Sequence, residues 1–164
     1  MKKTHKLNNI DFKRDGIQLK VDMGRIEQNL NHAQFALDSQ IMTDMVPYMP
    51  MQTGNFINVT RAMSAALAGS GKVVAAAPPY GQYLYEGKVM VDSKTGKGPM
   101  KIPDGPGGAY VLRFRKGAKL EATTRKLQFS KAAHPKAQAH WFEAAKKVNK
   151  GTWVEIAKRE VGKG

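Results

Sequence analysis

The sequence has no cysteine among its 164 residues. This absence excludes a disulfide framework, a thiolate zinc site and a cysteine nucleophile. Long apolar runs are also missing: the longest runs from Val73 to Ala77, whereas a membrane-spanning helix needs about 20 such residues. The polar stretch from His5 to Asn9 leaves no room for the apolar core of a signal peptide. We therefore expect a protein that is made in the cytoplasm and does not enter a membrane.

Acidic residues are scarce. The chain has 27 Lys and Arg against 13 Asp and Glu, a net charge of +14. The excess is concentrated, because residues 94–131 hold ten basic and two acidic side chains. Such a balance predicts attraction to polyanions and says nothing about the fold.

The clearest element is a long amphipathic helix from about Asp22 to Val46. Apolar residues recur there at steps of three and four, which places them on one stripe of a helix. We expect the helix to end at Pro47 and its stripe to pack against a sheet. The core of that stripe is Ile26, Leu30, Leu37 and Ile41.

The middle of the chain is rich in turns. Thr53-Gly54 predicts a tight turn with Gly54 at positive φ and with Thr53 or Asn55 capping the next element. Residues 58–67 and 72–77 are interpreted as the two strands of a hairpin, although 61–68 also suit a helix. Residues 80–86 favour one or two helical turns.

The remaining elements complete an α+β fold. Residues 127–129 are interpreted as a returning strand, and 138–148 and 152–161 as two helices broken at Gly151. We expect the long N-terminal helix and the C-terminal helices to pack on a mostly antiparallel β-sheet. The predicted organisation is a basic arm over 1–20, then a single domain over 21–164 with a basic, Gly/Pro-rich excursion at about 88–124.

Motifs for catalysis, cofactors and metals are weak. The segment 69–72 lacks two anchor residues of a phosphate-binding loop. His134, His140 and Glu143 have no second carboxylate nearby that would complete a metal site. No Gly-x-Ser-x-Gly elbow is present. We therefore expect no catalytic, cofactor or metal site, and we interpret three acids in basic surroundings as solvated surface: Asp92, Asp104 and Glu121.

Several motifs in order resemble the minor capsid and tail-completion proteins of tailed bacteriophages. After the long helix come Val46-Pro47, Thr53 to Phe56, Val73 to Ala77, Tyr80 to Gly87, and Pro135 to Ala145. The families share a Pro…Thr-Gly-x-Leu step, a Tyr-Ala-x-x-x-Glu-x-Gly step and a closing Ala-x-x-Phe-x-x-Ala helix. The match spans roughly 21–87 and 127–161, whereas the arm over 1–20 and the stretch 94–124 depart from the pattern.

The resemblance implies a structural protein of the virion neck, without enzymatic activity or cofactor. It implies a tail terminator: a six-fold homo-oligomeric ring that caps the tail tube protein and joins it to the head-closure ring. Aromatic residues are favoured at such interfaces. The expected ring-interface residues are Phe56, Tyr80, Tyr83, Tyr85, Glu86, Trp141 and Phe142.

The basic excursion is expected to project from the domain towards the ring lumen or a neighbouring ring. An acidic protein, packaged DNA bound without sequence preference, and solvent are the alternatives for what it meets. A protein partner predicts paired carboxylates on Arg113 or Arg115. The residues concerned are Lys94, Lys97, Lys101, Arg113, Arg115, Lys116 and Lys119.

Other functions stay open from the sequence alone. A head-side minor capsid or head-closure protein is the alternative within the same class. A basic nucleic-acid-binding protein is the alternative from another class, and its affinity for DNA would fall steeply with salt.

Overall fold

A computed structural model describes residues 6–78, 80–103 and 110–162, with the side chain of Val111 left out. It confirms the α+β class. The helices are α1 (Gly24–Met45), α2 (Asn55–Leu67), α3 (Gly81–Glu86) and α4 (Trp141–Val161), with a 3₁₀ turn at Val46–Tyr48. The strands are β1 (Ile10–Arg14), β2 (Ile17–Val21), β3 (Lys88–Asp92), β4 (Met100–Pro103), β5 (Tyr110–Arg113) and β6 (Leu120–Lys126).

The core lies between α1 and α4. The amide of Asn29 donates to the carbonyl of Val161 at 3.2 Å, and the Trp153 indole donates to Asp44 at 2.6 Å, so the helices run in opposite directions. The buried centre combines methionines and indoles: Met42, Met45, Met49, Trp141 and Trp153. The prediction of a long helix over 22–46 is confirmed to within two residues.

The prediction that α1 packs against a sheet is wrong. Its stripe faces α4 rather than a sheet, with Leu30, Leu37 and Ile41 half-buried and Ile26 44% exposed. The reason is that each described sheet has only two strands. A two-stranded ribbon offers too small an apolar face to cover a helix of this length.

The predicted hairpin over 58–77 is also wrong. Residues 55–67 form α2, and 72–77 run beside it without strand pairing. Ser64 Oγ donates to the carbonyl of Val74 at 3.0 Å and accepts its N–H at 2.9 Å. Thr60 Oγ1 accepts the N–H of Ala77 at 3.2 Å. Hydroxyls of α2 thus take the place of a second strand as hydrogen-bond partners.

The turn before α2 follows the sequence in part. Gly54 has φ +79° and precedes the helix, which confirms the predicted positive φ. No side chain caps the helix start, so the predicted capping by Thr53 or Asn55 is wrong. The predicted helical turns at 80–86 are confirmed as α3.

The C-terminal part of the chain forms fewer elements than predicted. One helix, α4, runs unbroken through Gly151, because buried Ala145 and Trp153 hold it on both sides of that glycine. The predicted strand over 127–129 is wrong: β6 ends at Lys126, and Leu127 adds one bond from its N–H to the carbonyl of Gly87 at 2.8 Å.

No helix among the described residues combines the length and apolar composition needed to cross a bilayer.

Candidate assembly surfaces

The first candidate surface is the β1–β2 ribbon, which lies in the predicted basic arm over 1–20 and extends to Val21. Asp15 and Gly16 both have positive φ and form the two-residue turn, the geometry that matches the twist of a hairpin. Opposite residues pair as Ile10 with Val21, Phe12 with Leu19, and Arg14 with Ile17.

One face of this ribbon is apolar and uncovered. Paired residues share a face, so Ile10, Phe12, Ile17 and Leu19 lie together, with Val21 at one end and Arg14 beside the turn at the other. Their exposed fractions are 49%, 51%, 71% and 53%. The opposite face carries Asp11, Lys13, Gln18 and Lys20. An amphipathic ribbon with an open apolar face is a typical surface for a protein partner.

The second candidate surface is the β4–β5 ribbon, which forms the centre of the predicted basic excursion. Met100, Ile102 and Arg113 lie on one face, and Lys101, Tyr110 and Leu112 on the other. All six are exposed. The ammonium of Lys101 lies 4.6 Å from the centre of the Tyr110 ring. Within the described chain, the extensive contacts of this ribbon are between its own strands.

The predicted basic residues stand on the surface around this ribbon. Exposed positions are Lys94, Lys97, Lys101, Arg113, Lys116 and Lys119. They agree with an excursion that stands away from the helical core. Asp104 lies outside the described residues, and Glu121 is exposed on β6, as expected.

Arg115 departs from the prediction. Its Nε and Nη2 donate to Asp92 Oδ2 at 3.3 and 3.2 Å within the same chain. Asp92 Oδ1 also accepts the N–H of Lys94 at 2.9 Å. The interpretation of Asp92 as solvated surface is therefore wrong, because the residue is only 4% exposed. The Arg115–Asp92 pair joins the base of the excursion to β3. Arg115 therefore binds a carboxylate of its own chain, where a carboxylate of another protein was expected.

The hydrogen bond from the Lys94 N–H and the Arg115 guanidinium hold the pKa of the Asp92 carboxyl below its ordinary value of 3.8. The carboxylate is thereby kept charged where two basic loops meet. It acts as a fixed internal counterion at the base of the ribbon.

The predicted aromatic interface divides into core and surface. Trp141 is 0% exposed, and its indole donates to the carbonyl of Ala75 at 2.8 Å. Phe56 and Tyr85 pack edge-on against it, and Phe142 stacks on Trp153. The assignment of Trp141 to a subunit interface is corrected, because it has no surface left to offer.

The other predicted interface residues keep some surface. Tyr80 is 54% exposed, Glu86 is exposed, and Tyr83 is half-buried. They lie in or beside α3, whose first residue Gly81 touches the backbone of Ala76: a Cβ there would lie 2.7 Å from the Ala76 carbonyl carbon. The glycine of the Tyr-Gly motif is thus required by close packing.

A hydrogen bond joins Tyr85 of α3 to α4. The Tyr85 hydroxyl donates to Glu143 on α4. Burial and this hydrogen bond raise the pKa of the Tyr85 phenol well above its ordinary value of 10.0. His140, which precedes α4 with φ +50°, packs edge-on against the same ring. His134 is bonded to the carbonyl of Met49.

A third surface, which the sequence analysis missed, is an apolar groove between α1 and α4. It is lined by Leu37, Ile41, Phe142, Trp153, Val154 and Ala157, with lysines at its rim. The apolar period of α1 identified Leu37 and Ile41 in the sequence, but as residues that pack against a sheet. The β1–β2 ribbon was also missed, although Asp15-Gly16 between alternating apolar residues is a strong hairpin signal.

We compared the chain with family models, curated proteins and solved structures, and none matches it. Within residues 6–78, 80–103 and 110–162, no three His, Asp or Glu side chains are grouped as metal ligands would be.

Proposed function

We propose that the protein is a structural component of the neck of a tailed bacteriophage. In this proposal it forms a six-fold ring that caps the tail tube and joins it to the head-closure ring, and it carries no enzymatic activity. The order of sequence motifs supports the family, and the exposed apolar face of the β1–β2 ribbon carries the proposal of assembly.

That face is difficult to explain in a protein that acts alone. An isolated two-stranded ribbon is marginal in water. About half or more of Ile10, Phe12, Ile17 and Leu19 is exposed. Completing their burial would contribute roughly 1–2 kcal/mol per side chain. The ribbon gains its stability once the apolar face packs on another subunit.

A projecting ribbon also suits the geometry of a ring. Closed rings use heterologous contacts, in which one surface of each copy meets a different surface of the next. A ribbon that leaves the helical core is such a surface, and a surface of the neighbour other than the groove between α1 and α4 supplies the second. The exposed lysines around the β4–β5 ribbon then give the ring a positive surface for the DNA that passes through it.

The test separates the two faces of the β1–β2 ribbon. Phe12→Ser with Leu19→Ser removes the apolar face, whereas Lys13→Ser with Gln18→Ser changes the polar face of the same strands. Sedimentation should show the wild type and the polar-face variant as rings of about six 18.1-kDa chains. The apolar-face variant should sediment as a folded monomer. A wild type that stays monomeric, or equal assembly of both variants, would contradict the proposal.

The exposed basic residues favour nucleic-acid binding as a second candidate function. A DNA-binding protein that neutralises several phosphates loses affinity steeply as salt rises. We expect little affinity for free duplex DNA at physiological salt, since a ring must let DNA pass. Tight binding with a steep salt slope, lost in Lys94→Ser with Lys97→Ser, would favour the second candidate instead.

A further inference from the structure

The groove between α1 and α4 has a volume of about 400 Å³. Leu37 and Ile41 form its α1 wall, and Trp153 and Val154 contribute to its α4 wall. A second hollow of about 290 Å³ shares Leu37 and Ile41 with it and continues towards Val73. The two hollows therefore adjoin each other at these residues.

The rim of this groove is positively charged. Lys146, Lys150 and Lys158 line the groove from α4 at steps of four and eight residues, so they span about 18 Å along the helix axis. The groove lining contains no Asp or Glu. Lys158 also lies 3.5 Å from Glu155 in an exposed pair, and such pairs contribute little.

The second hollow is lined by one acid, Asp38, which offsets only part of this charge. Asp38 accepts the N–H groups of Gly69 and Gly71 and the amide of Gln34. The three lysines outnumber this one carboxylate, so the two hollows together carry a net positive charge.

We propose that this groove binds an amphipathic helix of another protein, with apolar residues on the groove side and carboxylates along the edge facing the lysines. The apolar floor supplies the affinity, and the lysines select an acidic partner and set its orientation. This inference does not depend on the neck function.

The backbone chemistry favours a helix over a strand. Both walls are helices whose N–H and C=O groups are bonded internally, so the groove offers side chains and no backbone edge. A strand laid there would leave its own backbone groups unpaired on an apolar surface, which is costly. A helix satisfies its own backbone and presents apolar anchors at steps of three and four, as in other helix-in-groove complexes.

Charge argues against a second copy as the occupant. The chain carries 27 basic and 13 acidic residues, so a copy approaching the lysine rim would bring an excess of like charge. An acidic partner gains from the same rim.

The probe for the test is a synthetic, fluorescently labelled peptide of about 18 residues, long enough to run beside the lysines. It carries leucines at helical spacing on one face and glutamates on both edges. A second peptide has lysine in place of every glutamate. Binding to the full chain is measured by fluorescence anisotropy at fixed salt.

Two test variants are each compared with a matched control variant. Lys146→Glu with Lys150→Glu reverses the rim, whereas Lys131→Glu with Lys147→Glu makes the same charge change outside the groove. Val154→Asp places a charge in the groove, and Val148→Asp does so at an exposed site elsewhere on α4. Circular dichroism confirms that each variant is folded.

We expect the rim variant to weaken binding of the acidic peptide about tenfold, the sum of two modest charge pairs. Val154→Asp should weaken it at least as much, and the two controls should stay within about twofold of the wild type. The lysine peptide should bind at least about tenfold more weakly than the acidic one.

Three results would overturn the proposal. One is equal binding of the two peptides. Another is an equal loss of affinity for the acidic peptide in the rim variant and in its control. The third is self-association of the chain that Val154→Asp abolishes, which would make a second copy the occupant.

Discussion

Replacing Asp38 with alanine should destabilise the protein more than any other single loss of a hydrogen-bonding side chain on α1. Asp38 is 3% exposed. Its Oδ2 accepts the N–H of Gly69 at 2.8 Å and of Gly71 at 3.0 Å, and its Oδ1 accepts the Gln34 amide at 2.7 Å. Both glycines have positive φ, which turns two N–H groups towards one oxygen. The contact fixes the loop after α2 to α1.

The magnitude follows from the two N–H bonds to a carboxylate that the substitution removes. Hydrogen bonds to a charged group contribute about 1.5–3 kcal/mol each. The Gly69 amide is buried and the Gly71 amide is partly buried, so we expect a loss of roughly 3–4 kcal/mol. Asp38→Asn keeps an acceptor without the charge and should lose about 1–2 kcal/mol. For a chain of this length, Asp38→Ala then lowers Tm by roughly 6–16 °C.

The assay is urea unfolding followed by tryptophan fluorescence, at one protein concentration because assembly adds stability. Gln34→Ala is the matched control, since it removes one bond to the carboxylate but leaves both loop amides satisfied, and it should cost about 1 kcal/mol or less. A loss below about 1 kcal/mol for Asp38→Ala, or a Gln34→Ala variant that is as unstable, would refute the reasoning.

Other predictions concern glycines and titrating groups. Gly151→Ala should stabilise the protein by about 0.5–1 kcal/mol in thermal unfolding, since a Cβ there meets no atom within 4 Å, whereas Gly81→Ala should destabilise it through the clash with Ala76. Asp92→Asn should flatten the acid side of a curve of stability against pH. The pKa of Asp92 is lower in the folded than in the unfolded protein, so its carboxylate stabilises the fold fully above about pH 4. This stabilisation is lost as the pH falls through the lowered folded pKa. The Tyr85 phenol should ionise in alkaline absorbance titrations only well above pH 10.0, and its contribution to stability is lost as the pH rises through that higher folded pKa; Tyr85→Phe should remove both effects.

Local signals in the sequence were sufficient for part of the fold. The helix over 22–46 was predictable because its apolar period is sustained and Pro47 follows it. The positive φ of Gly54 and the helical turns at α3 are set by residues close in the chain. In each case the decisive interactions are local.

Distant partners decided the rest of the fold. Residues 72–77 look like a strand, but Thr60 and Ser64 on α2 take their backbone hydrogen bonds. Gly151 normally weakens a helix, yet the packing of Trp153 carries α4 through it. Neither outcome can be derived from residue type or spacing alone.

The candidate surfaces show the same division. The exposure of the lysines around the β4–β5 ribbon follows from their charge and was predictable. The pairing of Arg115 with Asp92 was not, because the two are joined only when β3 and the excursion fold together. The burial of Trp141 depends likewise on α2, α3 and the 72–77 segment meeting at one point.

Immunogold electron microscopy of phage particles that contain the protein tests most directly whether it is a neck component. We predict label concentrated at the junction between head and tail, with the same label on isolated tails at the end that joins the head. Label spread over the capsid shell, distributed along the tail, or absent from particles while the protein stays in the unassembled fraction would contradict the proposed function.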